Sequence, residues 1–235
     1  MTVKEIMAQL KALGSESTKK ILLKHGVKEP FFGVKVGDLK PIQKKIKMDY
    51  QLAKDLYATG NTDAMYLAGL IADDEKMTKA DLQTWVKQAV SNNISEYTVA
   101  WVAAGNKYGY ELGLEWIKSK EEHIAASGWA TLSNWMALTP DNELDIPALK
   151  KLLEGITKNI HTAANRVRHT MNGFVIASGS YVTALTSDAV TTAKKMGTVT
   201  IDMGGTVSKV PDAIVYINKV KEKGLLGKKK KVVKC

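Results

Sequence analysis

Two arginines occur in the whole chain, Arg166 and Arg168, and both lie in the stretch Ala163 to Tyr181, AANRVRHTMNGFVIASGSY. Elsewhere the chain uses lysine for positive charge, so the placement points to chemistry that needs a guanidinium. That group offers a planar fork of five donors, where lysine is a point charge. Asn165, Arg168 or His169, and Asn172 recur at three- and four-residue steps. Val167, Met171, Phe174 and Val175 do so on another face, which small Ser178 continues. The stretch reads as one long helix with a buried face and a polar face able to hold phosphate oxygens. On an ideal helix Arg166 and Arg168 point about 200° apart, so one of them faces a groove. The competing reading is a pair of arginines that merely solvate the helix.

A second polar stripe lies in residues 121–138. His123, Ser127, Thr131 and Asn134 follow one another at steps of four, four and three, beside an apolar face of Ile124, Gly128, Leu132, Trp135 and Met136. The stripe is small and carries no full charge, which suits either a crowded groove or a helix–helix contact. Five tryptophans stand at 85, 101, 116, 129 and 135. Most are expected in the core, but one exposed in a basic groove, with Trp101 the candidate, would be a stacking platform for a base. The four histidines are scattered and lack zinc-ligand spacing. Gly204-Gly205 lacks either nucleotide-loop pattern, so no metal or cofactor is expected.

These stretches need helices to position them. Thr2 caps a first helix to about Leu13, with Ile6, Met7, Leu10 and Leu13 as its stripe, and a short second helix carries Ile21, Leu22 and Leu23. A third runs from about Asp38 to Lys47, which would place Pro41 in its first turn. From Tyr50 the pattern settles into five helix pairs, at about 50–59 and 62–73, 78–90 and 94–106, 110–118 and 121–138, 147–159 and 162–180, and 182–196 and 211–224. Pairs of this size, beginning some 28 to 37 residues apart, must stack on their neighbours to bury their apolar faces. The segment 197–203, GTVTIDM, is the one strand-like exception and reads as a short extended piece. The predicted fold is an all-helical solenoid.

Net charge is +10, and five of those positives, Lys228–Lys231 and Lys234, sit in the last eight residues. The division predicted is one repeat domain over 1–226 and a basic, disordered tail over 227–235. The remaining excess, about +5, favours a polyanion such as nucleic acid. No apolar run of 18 or more residues exists, and the single cysteine, Cys235, fits a reducing cytoplasm.

Particular motifs resemble a known family. FFGVKVGDLKPIQKKIK, from Phe31, resembles the opening motif of the AlkD-like DNA alkylation repair proteins, HEAT-like repeat DNA glycosylases that act on alkylated purines. The helix pairs follow in a similar order, and Glu115–Ser119, EWIKS, is similar to a Trp-Ile-x-Ser segment that precedes a key helix of that family. NRVRHTMNGFVIASGSY and VTIDMGGTVSKVP look like one subgroup, whose members often end in a lysine-rich tail closed by cysteine. The resemblance spans roughly residues 20–235. It implies a HEAT-like repeat α-solenoid, curved, with a concave basic groove lined by the second helices of the pairs.

The departures bear on activity. Active members resemble one another in placing a Trp and an Asp four residues apart on one second helix and an Arg on the next. Those places fall here on Ile94, Thr98 and Ser127 or its neighbour. Glu96 is the nearest carboxylate and so the candidate catalytic residue, the group that would stabilise positive charge on the sugar as a base leaves. Val207 or Ser208 stands where relatives commonly carry cysteine. The expected function is DNA binding within the alkylation repair family, with or without glycosylase activity. The partner would be duplex DNA held by a monomer through Arg166, Arg168, His169, Asn165, Asn172, Ser127, Thr131, Asn134 and Trp101. A different class stays open, a non-enzymatic scaffold whose concave face binds a protein or RNA.

Overall fold

The computed structural model describes residues 1–205 and 209–235, so the reading of Val207 and Ser208 lies outside the described residues. Among the described residues, thirteen α-helices make up the architecture. The leading helices are α1 (Val3–Leu13), α2 (Glu16–Lys24) and α3 (Val36–Ile46). The pairs are α4 (Tyr50–Tyr57) with α5 (Thr62–Ile71), α6 (Lys79–Gln88) with α7 (Ala100–Ala104), and α8 (Gly109–Trp116) with α9 (Glu122–Leu138). They continue with α10 (Ile146–Asn159) and α11 (Asn165–Tyr181), then α12 (Thr186–Met196) and α13 (Ala213–Glu222). The second members pack in succession, α5 on the turn leading into α7, α7 on α9, α9 on α11 and α11 on α13. Among the described residues no segment is a strand, and residues 197–203 are irregular, with Val199 and Ile201 buried.

Local chemistry explains the helix starts. Thr2 and Glu5 form a capping box on α1, while Ser15, Asp49, Asn61, Thr78, Asp145 and Asp212 each accept a first-turn N–H at their own helix. α5 is buried along its whole length, as a helix apolar on every side must be. The first helices differ in three details from expectation. Ile6 and Leu10 are buried, but Leu13 is exposed because the helix ends before a neighbour covers it. α2 buries no residue and leaves Ile21 and Leu23 exposed. α3 begins at Val36, so Pro41 sits within the helix, beyond its first turn, where its ring removes one ladder bond.

The last nine residues depart most from expectation. They form a strap that crosses the C-terminal ends of three second helices. Gly227 N–H donates to Ser180 O at the end of α11, and Lys230 N–H to Ala137 O on α9. Lys229 Nζ donates to Met136 O at 2.9 Å and pairs with Asp141 at 2.7 Å. Lys234 Nζ reaches Ala72 O at 2.8 Å, just past α5, and pairs with Asp74 at 2.6 Å. Helix C-termini carry partial negative charge and orphan carbonyls, so lysines are the natural caps. Composition alone marks a charge run as solvated, because the carbonyls that hold it are distant in sequence.

Asp74 gives the strap a pH signature. Burial, against the pull of Lys234, raises its carboxyl to about 6 from an ordinary 3.8. A carboxyl raised on folding contributes stability that is fully present below about pH 4 and lost as pH rises through about 6. Asp74→Asn is therefore expected to stabilise the protein by about 2 kcal/mol at pH 8 and to have little effect at pH 4. Thermal unfolding at the two pH values checks this; an equal effect at both would refute it.

Candidate functional site

Between α6 and α7 the chain makes a π-helical turn, Ile94–Val99, that runs directly into α7. Turns of this kind widen the helix by one residue and re-aim a side chain. Ile94 and Thr98, the positions matched to catalytic residues of active glycosylases, are fully buried here. Thr98 lies against Gly69 of α5, where an added Cβ would come within 2.7 Å of the threonine methyl. The close approach of α5 thus requires a glycine and holds the turn in place. Glu96, on the same turn, lies at the edge of a cleft of about 680 Å³ whose lining mixes the bases Lys24, Lys28, Lys87 and Arg166 with the acids Glu29, Glu122 and Asp202, beside His123.

Glu96 is tied to Arg166, seventy residues away in sequence. Arg166 Nε donates to Glu96 Oε1 at 2.6 Å and Nη2 to Oε2 at 2.5 Å, a bidentate fork on a carboxylate 3% exposed. His169 completes the cluster, its Nδ1 3.2 Å from Arg166 Nη2 and 3.3 Å from Glu96 Oε2. Arg166 N–H donates to Glu122 at 2.7 Å, and its Nη1 lies 4.0 Å from Met203 Sδ. Burial works against the charge on Arg166, but the bonds to Glu96 outweigh it and hold the guanidinium above its ordinary pKa. The pair joins the first turn of α11 to the π-helical turn. Its charges cancel, so little net negative field is left to stabilise a cation nearby.

The other residues expected at a groove are bonded to the fold or buried in it. Asn165 pairs with the backbone of Asp202 in both directions, Nδ2 donating to Asp202 O at 2.8 Å and Asp202 N–H to Oδ1 at 2.7 Å. That contact anchors the 197–205 segment over the cleft. Gly204, at φ +66°, passes so close to Lys24 O that no side chain would fit. Asn172 is buried and donates to Pro211 O at 2.8 Å. Ser127 and Thr131 are fully buried on the helix that packs against α11, and half-buried Asn134 bonds back to Ala130 O. Trp101 is buried too, edge-on to Tyr66, so it offers no stacking face. Burial of Ser127, Thr131, Asn172 and Trp101 turns these side chains into the fold, and Asn165 and Asn134 are held by backbone carbonyls. Arg168 is the charged member of this set and is only partly buried: its Nε, like Ser127 Oγ and Thr131 Oγ1, is buried without a hydrogen-bond partner, and it makes no ion pair among the described residues.

Sequence reasoning missed the rim lysines Lys24, Lys28 and Lys87, all exposed, and His123 Nε2, which is buried in the cleft wall without a hydrogen-bond partner among the described residues. His123 was visible in a polar stripe, but nothing in its spacing marked it as cleft-lining.

A family model described as DNA alkylation repair enzyme matches residues 6–203. The chain belongs to this family. Within it, an uncharacterized protein of Listeria innocua is 30% identical over 229 residues, covering 95% of this chain and 99% of its own. One of Listeria monocytogenes is 31% identical with the same coverage. Among solved structures, one superposes with a TM-score of 0.91 at 36% identity over the full length of both chains. It is described as a new family of proteins related to the HEAT-like repeat DNA glycosylases with affinity for branched DNA structures. The fold is therefore that of the HEAT-like repeat glycosylase relatives. Among the described residues no helix is long and apolar enough to cross a membrane.

Proposed function

We propose that this member of the alkylation repair family binds DNA, branched DNA in preference to a plain duplex, and does not excise alkylated bases. The observation that carries the binding is the full-length likeness to a protein with affinity for branched DNA. A net charge of +10 supports phosphate contacts as the main source of affinity. The Glu96–Arg166 pair argues against base excision. A glycosylase carboxylate must lend its charge to an electron-poor sugar, and here both oxygens are spent on a guanidinium. Arg168, the arginine without an ionic partner among the described residues, is the proposed phosphate contact on α11, and Lys24, Lys28 and Lys87 supply charge around the cleft.

The test is binding to a fluorescent four-way junction and to a linear duplex, at low and moderate salt, together with base release from methylated DNA. Wild type is expected to bind the junction more tightly, with affinity falling steeply as salt rises, and to release no alkylated purine. Arg168→Ala is expected to reduce the logarithmic salt slope by about 1, as the loss of one phosphate contact would. Absence of binding at low salt would overturn DNA recognition. Release of methylated purines would overturn the non-catalytic reading.

A further inference from the structure

A basic cavity lies at the far end of α11, away from the Arg166 cleft. It has a volume of about 500 Å³ and is walled by Ser180, Tyr181, Tyr216, Val220, Leu225 and a set of lysines from α13 and the strap. Lys219 reaches it from α13 and Lys223 from just past the end of that helix, and Lys228 and Lys230 from the strap. Lys219, Lys223 and Lys228 are exposed and make no ion pair among the described residues. Tyr216 is 49% exposed and Leu225 39%, so the floor offers apolar area beside the charges. Lys230 Nζ stands 5.5 Å above the Tyr181 ring, a cation held over an aromatic face. Ser180 Oγ, on the wall, is buried and has no hydrogen-bond partner among the described residues.

Lysines interleaved with exposed tyrosine, around a concave surface, are the chemistry of a nucleic-acid strand, whose phosphates take the charges and whose bases stack on the rings. A run of lysines by itself would serve solvation. Here the strap is not loose: its bonds to the ends of α11 and α9 fix Lys228 and Lys230 as one wall opposite α13. Arg168, the proposed phosphate contact, and Tyr181 stand about 20 Å apart along α11 at the rise of an α-helix. Two phosphate contacts so separated can engage two arms of a branched molecule, where a linear duplex held at the first would leave the second empty.

We propose that this α11–α13–strap cavity is a second nucleic-acid-binding site, which takes the backbone and exposed bases of a second DNA arm and so supplies the preference for branches. The proposal rests on the DNA-binding reading above. Its test uses full-length Lys219→Glu/Lys223→Glu and Tyr216→Ala proteins, all changed at exposed positions and checked for unaltered thermal unfolding. Each is titrated with a four-way junction and with a linear duplex of the same arm sequence. Both variants are expected to lower junction affinity about tenfold while leaving duplex affinity unchanged. The lysine variant should also lower the junction's logarithmic salt slope by about 2. Unchanged junction preference in both variants would overturn the second site and leave the DNA-binding reading intact. Equal loss on junction and duplex would also overturn it, by making the cavity part of one continuous groove. Failure of the wild type to bind any DNA would instead overturn the underlying reading. Sedimentation with anionic phosphatidylglycerol vesicles provides the remaining arm: lysine-dependent binding to vesicles, with DNA binding unaltered, would assign the face to a membrane surface and overturn the proposal.

Discussion

Arg166→Ala is expected to destabilise the protein by about 3–5 kcal/mol, the usual cost of stranding one member of a buried ion pair. In a chain of this length such a loss lowers the thermal midpoint by about 6–20 °C. The size follows from the geometry of the pair. Glu96 is 3% exposed, so without the guanidinium its carboxylate keeps only His169 Nδ1, at 3.3 Å, as a partner unless the π-helical turn shifts to bring it into the cleft. Glu96→Gln should cost less, because Arg166 is 18% exposed and its charge can turn toward Glu122 or solvent. Replacing both, as Glu96→Leu with Arg166→Met, should recover much of the loss, since a buried pair is often matched by apolar groups of similar volume. Urea and thermal unfolding of the three variants measure this. A loss below about 1 kcal/mol for Arg166→Ala would show that the pair is not what joins α11 to the π-helical turn. Weakened DNA binding in that variant alone would report a disturbed scaffold and would not identify a phosphate contact.

The second large effect is expected at Asp63, whose Oδ2 accepts from Phe32 N–H at 2.6 Å and Gly33 N–H at 3.1 Å while Oδ1 accepts from Val34 N–H at 3.2 Å. One carboxylate on the first turn of α5 therefore organises the FFGV segment, whose connection has few other means of satisfying its backbone. Asp63→Ala strands three donors and is expected to cost at least about 3 kcal/mol. Amide hydrogens of residues 32–34 should then exchange far faster than in the wild type. Asp63→Asn, which keeps one acceptor oxygen, should fall between the two. Burial raises the Asp63 carboxyl above its ordinary value, although the three backbone donors pull it down. Its ionisation thus costs stability that is recovered as pH falls through the raised value. Protection of these amides unchanged by Asp63→Ala would refute the assignment.

These two carboxylates show where legibility in the sequence ended. Apolar periodicity and caps placed every helix of the repeat array to within a few residues, because those signals are local and the caps belong to the helices they start. The same periodicity put Val167, Met171, Phe174 and Val175 on a buried face, where they lie. The resemblance in FFGV and the α11 stretch led to the right family. The FFGV motif pointed to the family, however, without naming Asp63 as the residue that holds its backbone.

The sequence by itself determined an all-helical repeat protein of the alkylation repair family, with an excess of positive charge and a long helix carrying both arginines. Only the tertiary structure decided what the polar residues do. Ser127, Thr131, Asn165 and Asn172 read alike as surface residues or packing residues, because a helical wheel records direction and not what stands opposite. Glu96 and Arg166 are separated by seventy residues, and no spacing rule joins them. The lysine tail read as solvated because the helix ends that it caps are contributed by α5, α9 and α11, which are brought side by side only when the pairs stack. Burial, pairing and capping are properties of neighbours in space, and those neighbours exist once the chain has folded.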